Sequence, residues 1–304
     1  MAEAKDIPED RLHDVLLRRF WPSHPLGAPI FGTDETVRSL AKRQLVSRFA
    51  SIFRPERTAI VAAGALSPDD FRRRLEKARR LRRQRAAGRE PVPVSRRAAA
   101  PRARACAFHI PRPDLSQTHV LAGVPALPHV HPLVPAIWIA STVLGGGVSS
   151  RLWRDVRERR GLAYQVGTGL TLHGAGGISL IDAATAPRNL ARLVRALGRI
   201  VGGLREGGVT RSELRRAKDQ IASEVSLSVE STVARREAGA RDWLYRGRPH
   251  GADAILAEVE AVTPSDVEEA IGRVWGAAAP WALGVSGPDL AGATVDDLAG
   301  ELAA

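Results

Sequence analysis

The sequence is poor in several features that mark particular classes of protein. It has one cysteine, Cys106, so its 304 residues can form no internal disulfide, and cysteine usage leaves the redox compartment open. No apolar run reaches the length of a membrane span, and the longest, from Leu133, contains Pro135 and predicts a buried helix. The first residues, "MAEAKDIPEDRLHD", are acidic and polar, unlike a signal peptide. These features favour a globular chain with a substantial core.

Positive charge is abundant but concentrated in one stretch. Residues 72–104 contain fourteen Arg or Lys against Glu76 and Glu90, a net of +12 that equals the formal net charge of the whole chain. The stretch predicts an exposed helix followed by a linker rich in Pro and Ala. Because no aromatic residue lies between Phe71 and Phe108, no nucleic-acid base could stack there. Nucleic-acid binding is therefore not favoured, and contact with an acidic partner is the alternative to a plain linker.

A glycine-rich turn opens the most distinctive segment, "LGGGVSSRLWRDVRERRGLAY" at 144–164. Its three glycines, Gly145, Gly146 and Gly147, lack both the Lys-Ser/Thr that completes a P-loop and the G-x-G-x-x-G spacing, so a phosphate loop is not predicted. A tight turn capped by Ser149 or Ser150 explains the pattern better.

A short helix and a strand follow this turn. An apolar stripe at helical spacing is formed by Leu152 and Val156, and Trp153 is a further candidate for it. Gly161 suits the left-handed position that ends a helix. The next residues alternate as in a strand. One face of that strand is predicted to carry Tyr164, Val166, Thr168, Leu170 and Leu172. Arg157 near the helix end is expected to approach Tyr164 at the strand start.

An internal duplication supports a repeated architecture. "AKRQLVSRFASIFRPERTAIVAAG" at 41–64 and "TPSDVEEAIGRVWGAAAPWALGVSG" at 263–287 share the order of capped helix, turn, short apolar strand and glycine. Thr263 and Asp266 predict a capping box, as do Thr210 and Glu213. Helices mixed with apolar strands predict an α+β fold in which helices cover mixed or antiparallel sheets. The second copy closes a unit of about two hundred residues, whereas the first has no room for a front half.

These segments resemble the pitrilysin and insulinase zinc peptidases, especially the processing-peptidase-like branch. The glycine turn, "SSRL" and "RGLAY" resemble the signature of that family's second repeat, and "WPSHPLGAPIFGTDETVRSL" at 21–40 resembles a passage late in the first. The resemblance implies three parts. They are the tail of a first peptidase-like repeat at 1–71, a basic helix and linker at 72–104, and a complete second, non-zinc repeat at 105–304.

The zinc motif of the resembled family, H-x-x-E-H, is absent from this sequence. None of the eight histidines belongs to it or to H-E-x-x-H. These are His13, His24, His109, His119, His129, His131, His173 and His250. The pair in "PHVHP", His129 and His131, has no suitably spaced third ligand and is interpreted as a surface loop, and His24 as a structural turn residue. We therefore expect no metal in this chain, and zinc in a partner or in a missing N-terminal part.

The resemblance also implies a substrate site. In that family an arginine and a tyrosine spaced as Arg157 and Tyr164 hydrogen-bond the backbone of an extended peptide, and Gly145, Gly146 and Gly147 would permit close backbone approach. The alternative is that Arg157 is simply solvated and that Tyr164 belongs to the strand core. No catalytic residue is predicted.

Three functions follow as hypotheses. The chain is the non-catalytic, substrate-binding part of a zinc endopeptidase whose zinc site lies on another subunit or on a second copy. Alternatively, it is an ordinary zinc endopeptidase cut at its start, with H-x-x-E-H encoded upstream. The third hypothesis is a catalytically inactive scaffold or binding subunit. On its own, the chain is not expected to hydrolyse peptides.

Overall fold

A computed structural model describes residues 8–54, 58–86 and 99–303. In chain order the first seven α-helices within these residues are α1 (Pro8–Phe20), α2 (Asp34–Arg38), α3 (Lys42–Ile52), α4 (Pro68–Ala86), α5 (Val134–Gly145), α6 (Leu190–Gly207) and α7 (Arg211–Ser228). The others are α8 (Thr232–Arg246), α9 (Gly251–Ala261), α10 (Pro264–Trp275) and α11 (Val295–Ala303). A π-helix covers Trp153–Arg159, and short 3₁₀ helices cover Pro25–Gly27 and Pro187–Asn189.

The strands form one mixed sheet. They are β1 (Cys106–Pro111), β2 (Thr118–Ala126), β3 (Ala163–Leu172), β4 (Gly177–Thr185) and β5 (Ala282–Gly287). Their order in the sheet is β1-β5-β2-β4-β3. β1 pairs with β5 in parallel and the other pairs are antiparallel. The sheet confirms the predicted α+β class, and within the described residues it leaves β3 at one edge.

Helices cover one face of the sheet and form the larger core. Val120, Ile181 and Val285 point into this core from three neighbouring strands, and α5, α6, α7, α10 and α11 pack against them. The apolar run around Pro135 is the buried helix that its composition predicts, because eight of the twelve residues of α5 are buried. α6 likewise turns an apolar stripe towards this core, with Leu190, Leu193, Val194, Leu197, Val201 and Leu204 buried and Ile200 partly exposed.

The opposite face of the sheet is covered by α1. Leu12, Leu16 and Phe20 recur at helical spacing and are almost completely buried. They pack, together with Trp21, against a patch of strand side chains: Phe108, Leu121, Ile178 and Leu180. Burying each such side chain stabilises the fold by about 1.5–3 kcal/mol. The N-terminal helix is therefore an integral layer of the sheet formed by residues 106–287.

The predicted helix caps are present. Thr263 Oγ1 accepts a hydrogen bond from Asp266 N at 3.2 Å, and the Asp266 carboxylate accepts one from Thr263 N at 2.8 Å. Thr210 and Glu213 make the same reciprocal pair at the start of α7. Each box satisfies backbone N–H groups that have no partner inside the helix.

Residues 28–54 and 58–66 pack much less completely. α3 has no buried residue and exposes Leu45, Val46 and Phe49 by more than half of their surface. The prediction of a short apolar strand at the end of the first repeat copy is wrong, because residues 58–63 form no ladder in the described structure. A strand needs hydrogen-bonding partners, and here the extended chain passes α8, where Val61 lies beside Gly239.

The basic stretch begins in α4, where residues 72–78 are mostly exposed as expected for the predicted helix, whereas the part of the predicted linker at 87–98 lies outside the described residues. Among the helices of the described residues, none combines the length and apolar character that a membrane crossing requires.

Candidate functional site

The site begins at the helix that follows the glycine turn. Leu152 and Val156 are completely buried and anchor this helix to the core. Ser150 caps its start, because Trp153 N donates to Ser150 Oγ at 3.3 Å. From Trp153 the helix widens into π geometry, and Arg160 N donates to Asp155 O at 3.1 Å, a five-residue step. Gly161 then has φ 59°, the left-handed conformation that its position predicts.

Tyr164 lies at a β-bulge where β3 begins. The ladder between β3 and β4 shifts register between Ala163 and Gln165, so Tyr164 has no partner on β4. Its side chain is 75% exposed, whereas Val166 is buried. The prediction that Tyr164 and Val166 share one face of the strand is wrong, because Tyr164 is itself the extra residue of the bulge and so falls outside the alternation that begins at Gln165. The alternative that placed Tyr164 in the strand core is wrong for the same reason.

Arg157 connects the π-helix to this bulge. Its guanidinium carbon lies 4.0 Å from the centre of the Trp153 ring and 4.4 Å from the centre of the Tyr164 ring. Arg157 Nη1 also donates a hydrogen bond to Tyr164 O at 2.7 Å. Stacking between two rings and bonding to a carbonyl hold the guanidinium in one orientation. We call Trp153, Arg157 and Tyr164 the stacked triad.

The triad confirms the expected approach of Arg157 to Tyr164 and adds a residue that the sequence analysis did not assign to the site. The sequence pattern predicts for Trp153 only a place in an apolar stripe. Its position four residues before Arg157 was the available signal, because residues at that spacing are neighbours on a helix surface.

The three glycines lie where α5 ends. A Cβ on Gly145 would stand 2.6 Å from Thr168 Cγ2 and 2.8 Å from Thr168 N, so only glycine lets α5 end against β3. Gly146 O accepts a hydrogen bond from Gln220 Nε2 of α7. Gly147 has φ 148°, which favours glycine. The close backbone approach that Gly145 permits is therefore the approach of α5 to β3 of the same chain.

An ion pair ties the start of this helix to α7. Arg151 Nε and Nη2 each donate to the Glu213 carboxylate at 2.8 Å, and Nη2 also donates to Gly208 O at 2.7 Å. The Arg151 guanidinium holds the pKa of Glu213 at about 2, well below its ordinary 4.5, with further help from the backbone N–H of Thr210. The pair is partly buried. It fixes the helix that carries the triad.

Three of the histidines weighed in the sequence analysis, His24, His129 and His131, have structural partners. His131 Nδ1 accepts from Leu133 N at 3.1 Å, and His129 stacks on Tyr245 with ring centres 4.4 Å apart. Burial lowers the pKa of His129, and nearby arginines lower it further. His24 Nδ1 accepts from Leu26 N at 3.2 Å, in the turn predicted for it. Among residues 8–54, 58–86 and 99–303, no three His, Cys, Asp or Glu side chains are grouped to hold a metal, so the donors present do not fit a zinc site.

Cys106 is the first residue of β1 and is half-buried. Burial raises the pKa of its thiol, although the charge of Arg19 acts in the opposite direction. A thiol in this environment is a weak nucleophile at neutral pH.

The helix-covered mixed sheet is also found in solved structures of other proteins. The fold is similar to the crystal structure of a peptidase M16 inactive domain from Pseudomonas fluorescens, with a TM-score of 0.77 and 22% identity over 96% of this chain and 69% of that one. It is also similar to a chain of complex III2 from Candida albicans, with a TM-score of 0.85 and 15% identity over 99% and 72% of the two chains.

Sequence comparison shows the family. Residues 39–221 match the family model described as the peptidase M16 inactive domain, so the chain belongs to the M16 peptidase family. An uncharacterized zinc protease of Mycobacterium leprae is 30% identical over 88% of this chain and 59% of its own length. One from Bacillus subtilis is 30% identical over 85% and 61%. The chain thus spans about three fifths of these relatives, and the resemblance to zinc peptidases is confirmed.

Proposed function

We propose that this chain is the substrate-binding, non-catalytic part of an M16 zinc endopeptidase, with the zinc site contributed by a partner subunit or by another part of the enzyme. The observation that carries the proposal is the stacked triad, which presents an oriented guanidinium and an exposed phenol at the start of an edge strand. The family assignment supports the peptidase context.

The triad supplies hydrogen-bond donors for a peptide backbone. A guanidinium has five N–H groups, and one of those of Arg157 bonds to Tyr164 O. The Tyr164 hydroxyl makes no hydrogen bond to the rest of the described chain, so its O–H can reach a substrate carbonyl. Trp153 positions the guanidinium before substrate arrives, which lowers the entropic cost of binding.

The strand beside the triad can bind an extended peptide. Within the described residues β3 pairs with β4 alone. A peptide added at such an edge receives main-chain hydrogen bonds that depend little on its sequence. Gly146 and Gly147, which are partly exposed, belong to this proposed site, together with the buried Gly145 that seats the turn against β3.

An apolar surface formed by residues within 30–54 and 58–66 supports a peptidase partner. Its large exposed side chains are Ile30, Phe31, Val37, Leu40, Leu45, Val46, Phe49, Ile52, Phe53, Ile60 and Leu66. Large apolar side chains exposed in this number on one segment favour an interface. The relatives named zinc proteases extend beyond the part that this chain matches. A zinc-bearing peptidase half is the occupant that we propose for this surface.

Peptide cleavage by the assembled enzyme tests the site. The chain would be co-purified with a zinc-bearing M16 subunit from the same genome, and kcat/KM measured with an internally quenched peptide. We expect Arg157→Ala to lower kcat/KM by about tenfold or more, and Tyr164→Phe by less, because each removes donors to the substrate backbone. Arg157→Lys should rescue only part of the loss, since it keeps the charge without the planar fork.

Arg211→Ala is the matched control, because Arg211 is exposed and makes no ion pair within the described structure. The complex should form equally with every variant, as measured by gel filtration. Unchanged turnover for both Arg157→Ala and Tyr164→Phe would remove these residues from the site.

The isolated chain provides a second test. Incubated with zinc and the same peptide, it should show no cleavage that a chelator abolishes, because no described cluster of side chains suits the metal. Chelator-sensitive cleavage by the isolated chain, or one tightly bound transition metal per molecule, would contradict the proposed division of roles.

A further inference from the structure

A concave site that includes none of the triad residues lies along the helix that carries the triad. It is a cavity of about 400 Å³ between that helix and α6. Five arginines line it, namely Arg151, Arg154, Arg159, Arg160 and Arg199, and Asp155 is the only acidic residue in the lining. Its volume is within the range of small-molecule sites. We call it the arginine cavity.

Two of the five guanidinium groups are already neutralised. Arg151 is paired with Glu213, and Arg160 Nε donates to Asp155 Oδ2 at 2.7 Å. Arg154, Arg159 and Arg199 make no side-chain hydrogen bond or ion pair in the described parts of the chain. The cavity therefore combines three unpaired positive charges with no acceptor left to balance them.

The origin of these arginines shows that they converge in space. Arg154 and Arg159 come from the helix at 151–159, and Arg199 comes from α6, about forty residues later in the sequence. Like charges brought to one cavity repel each other unless an anion occupies it. This convergence is distinct from the basic stretch at 72–104, which accounts for the net charge of the sequence.

We propose that the arginine cavity binds a small multivalent phosphate anion of the inorganic pyrophosphate or tripolyphosphate class. Guanidinium forks bind phosphate oxygens in pairs, and several phosphates in one compact ligand match three charges better than a single carboxylate does. No aromatic side chain lines the cavity, so it offers no stacking surface for a base. The bound anion links the triad helix to α6 and stabilises the fold.

Calorimetric titration of the full chain with tripolyphosphate in 150 mM NaCl tests the proposal. We expect saturable binding of one anion per chain and a rise of the melting temperature with ligand concentration. The double variant Arg154→Gln, Arg199→Gln should weaken binding at least tenfold, because it removes two of the three free charges. Circular dichroism would show that the variant is folded, as expected for exposed side chains.

Arg192→Gln is the matched control, since Arg192 lies on α6, is exposed, and does not line the cavity. It should bind tripolyphosphate as the unmodified chain does. The proposal is overturned if no saturable binding occurs, if the double variant binds as tightly as the control, or if citrate or hexaglutamate binds more tightly than tripolyphosphate. Equal binding by the double variant would assign the anion to the basic stretch instead.

Discussion

The two copies of the repeated motif differ in how much of their apolar surface is buried. In the second copy, α10 buries Val267, Ile271 and Val274, and its strand β5 lies between β1 and β2. In the first copy, α3 buries nothing, and residues 58–63 pair with no strand in the described structure. Both helices nevertheless form at the predicted place.

The difference separates local from tertiary determinants. Positions in the two helices can be matched by counting from the N-caps, which are Ala41 and Thr263. Ile52 then corresponds to Val274, and Phe49 corresponds to Ile271. The apolar pattern that specifies a helix face is therefore present in both copies. Only the second copy has a sheet to receive it, so burial depends on the partner surface and not on the helix sequence.

The largest expected effect comes from making the same change, isoleucine to alanine, in each of the two copies. Ile271→Ala should lower the free energy of unfolding by about 2–5 kcal/mol, because it leaves a cavity in a closely packed core. Ile52→Ala should change it by less than about 0.5 kcal/mol, since Ile52 is 41% exposed. Urea denaturation followed by circular dichroism measures both.

Equal losses for these two variants would break the comparison, because they would mean that α3 is packed in solution. Repeating the measurement with the zinc-bearing subunit bound would sharpen it. Under the proposed function, Ile52→Ala should then weaken the complex while leaving the isolated chain unchanged.

The next prediction concerns how closely the second region is packed. A Cβ on Gly198 of α6 would stand 2.2 Å from Glu301 O of α11, so Gly198→Ala should destabilise the chain by about 1–3 kcal/mol. Gly202 lies one turn along α6, and its nearest such neighbour is a flexible arginine atom 4.0 Å away. Gly202→Ala should therefore be neutral or stabilising by up to about 1 kcal/mol. Thermal melts of both variants would decide, and equal stability would show that α11 moves aside.

Much of the helix-covered region could be predicted from the sequence because its signals are local. The capping boxes at Thr210 and Thr263 need only neighbouring residues, and Gly161 marks the end of its helix by its own conformational freedom. The approach of Arg157 to Tyr164 was also predictable, because a helix, one turn and a strand start connect them. The family resemblance added the expected role of that pair.

What could not be predicted depends on pairing across the sheet. The bulge at Tyr164 is an event in the ladder with β4, and nothing in the alternation of "YQVGTGL" marks it. The absence of a strand at 58–63 likewise depends on a partner that the sequence pattern does not specify. The arginine cavity also arises from tertiary contact, because it joins Arg199 to residues far away in the sequence.

The smallest expected effect tests the ion pair between Arg151 and Glu213 in the well-packed region. Glu213→Gln keeps a side chain that can cap α7 but removes the charge paired with Arg151, and it should cost about 1 kcal/mol at pH 7, as expected for a partly exposed pair. The pKa of Glu213 is about 2 in the folded chain, below its ordinary 4.5. The stabilisation is therefore complete above about pH 5 and is lost as the pH falls from 4.5 towards 2.

Urea denaturation at several pH values measures this effect, and the free energies of unfolding of Glu213→Gln and the unmodified chain should converge as the pH falls. The control is Glu206→Gln, at an exposed residue of α6 without an ion pair in the described chain, which should show no such trend. A difference that persists unchanged at pH 3 would mean that Glu213 acts through its cap and not through its charge.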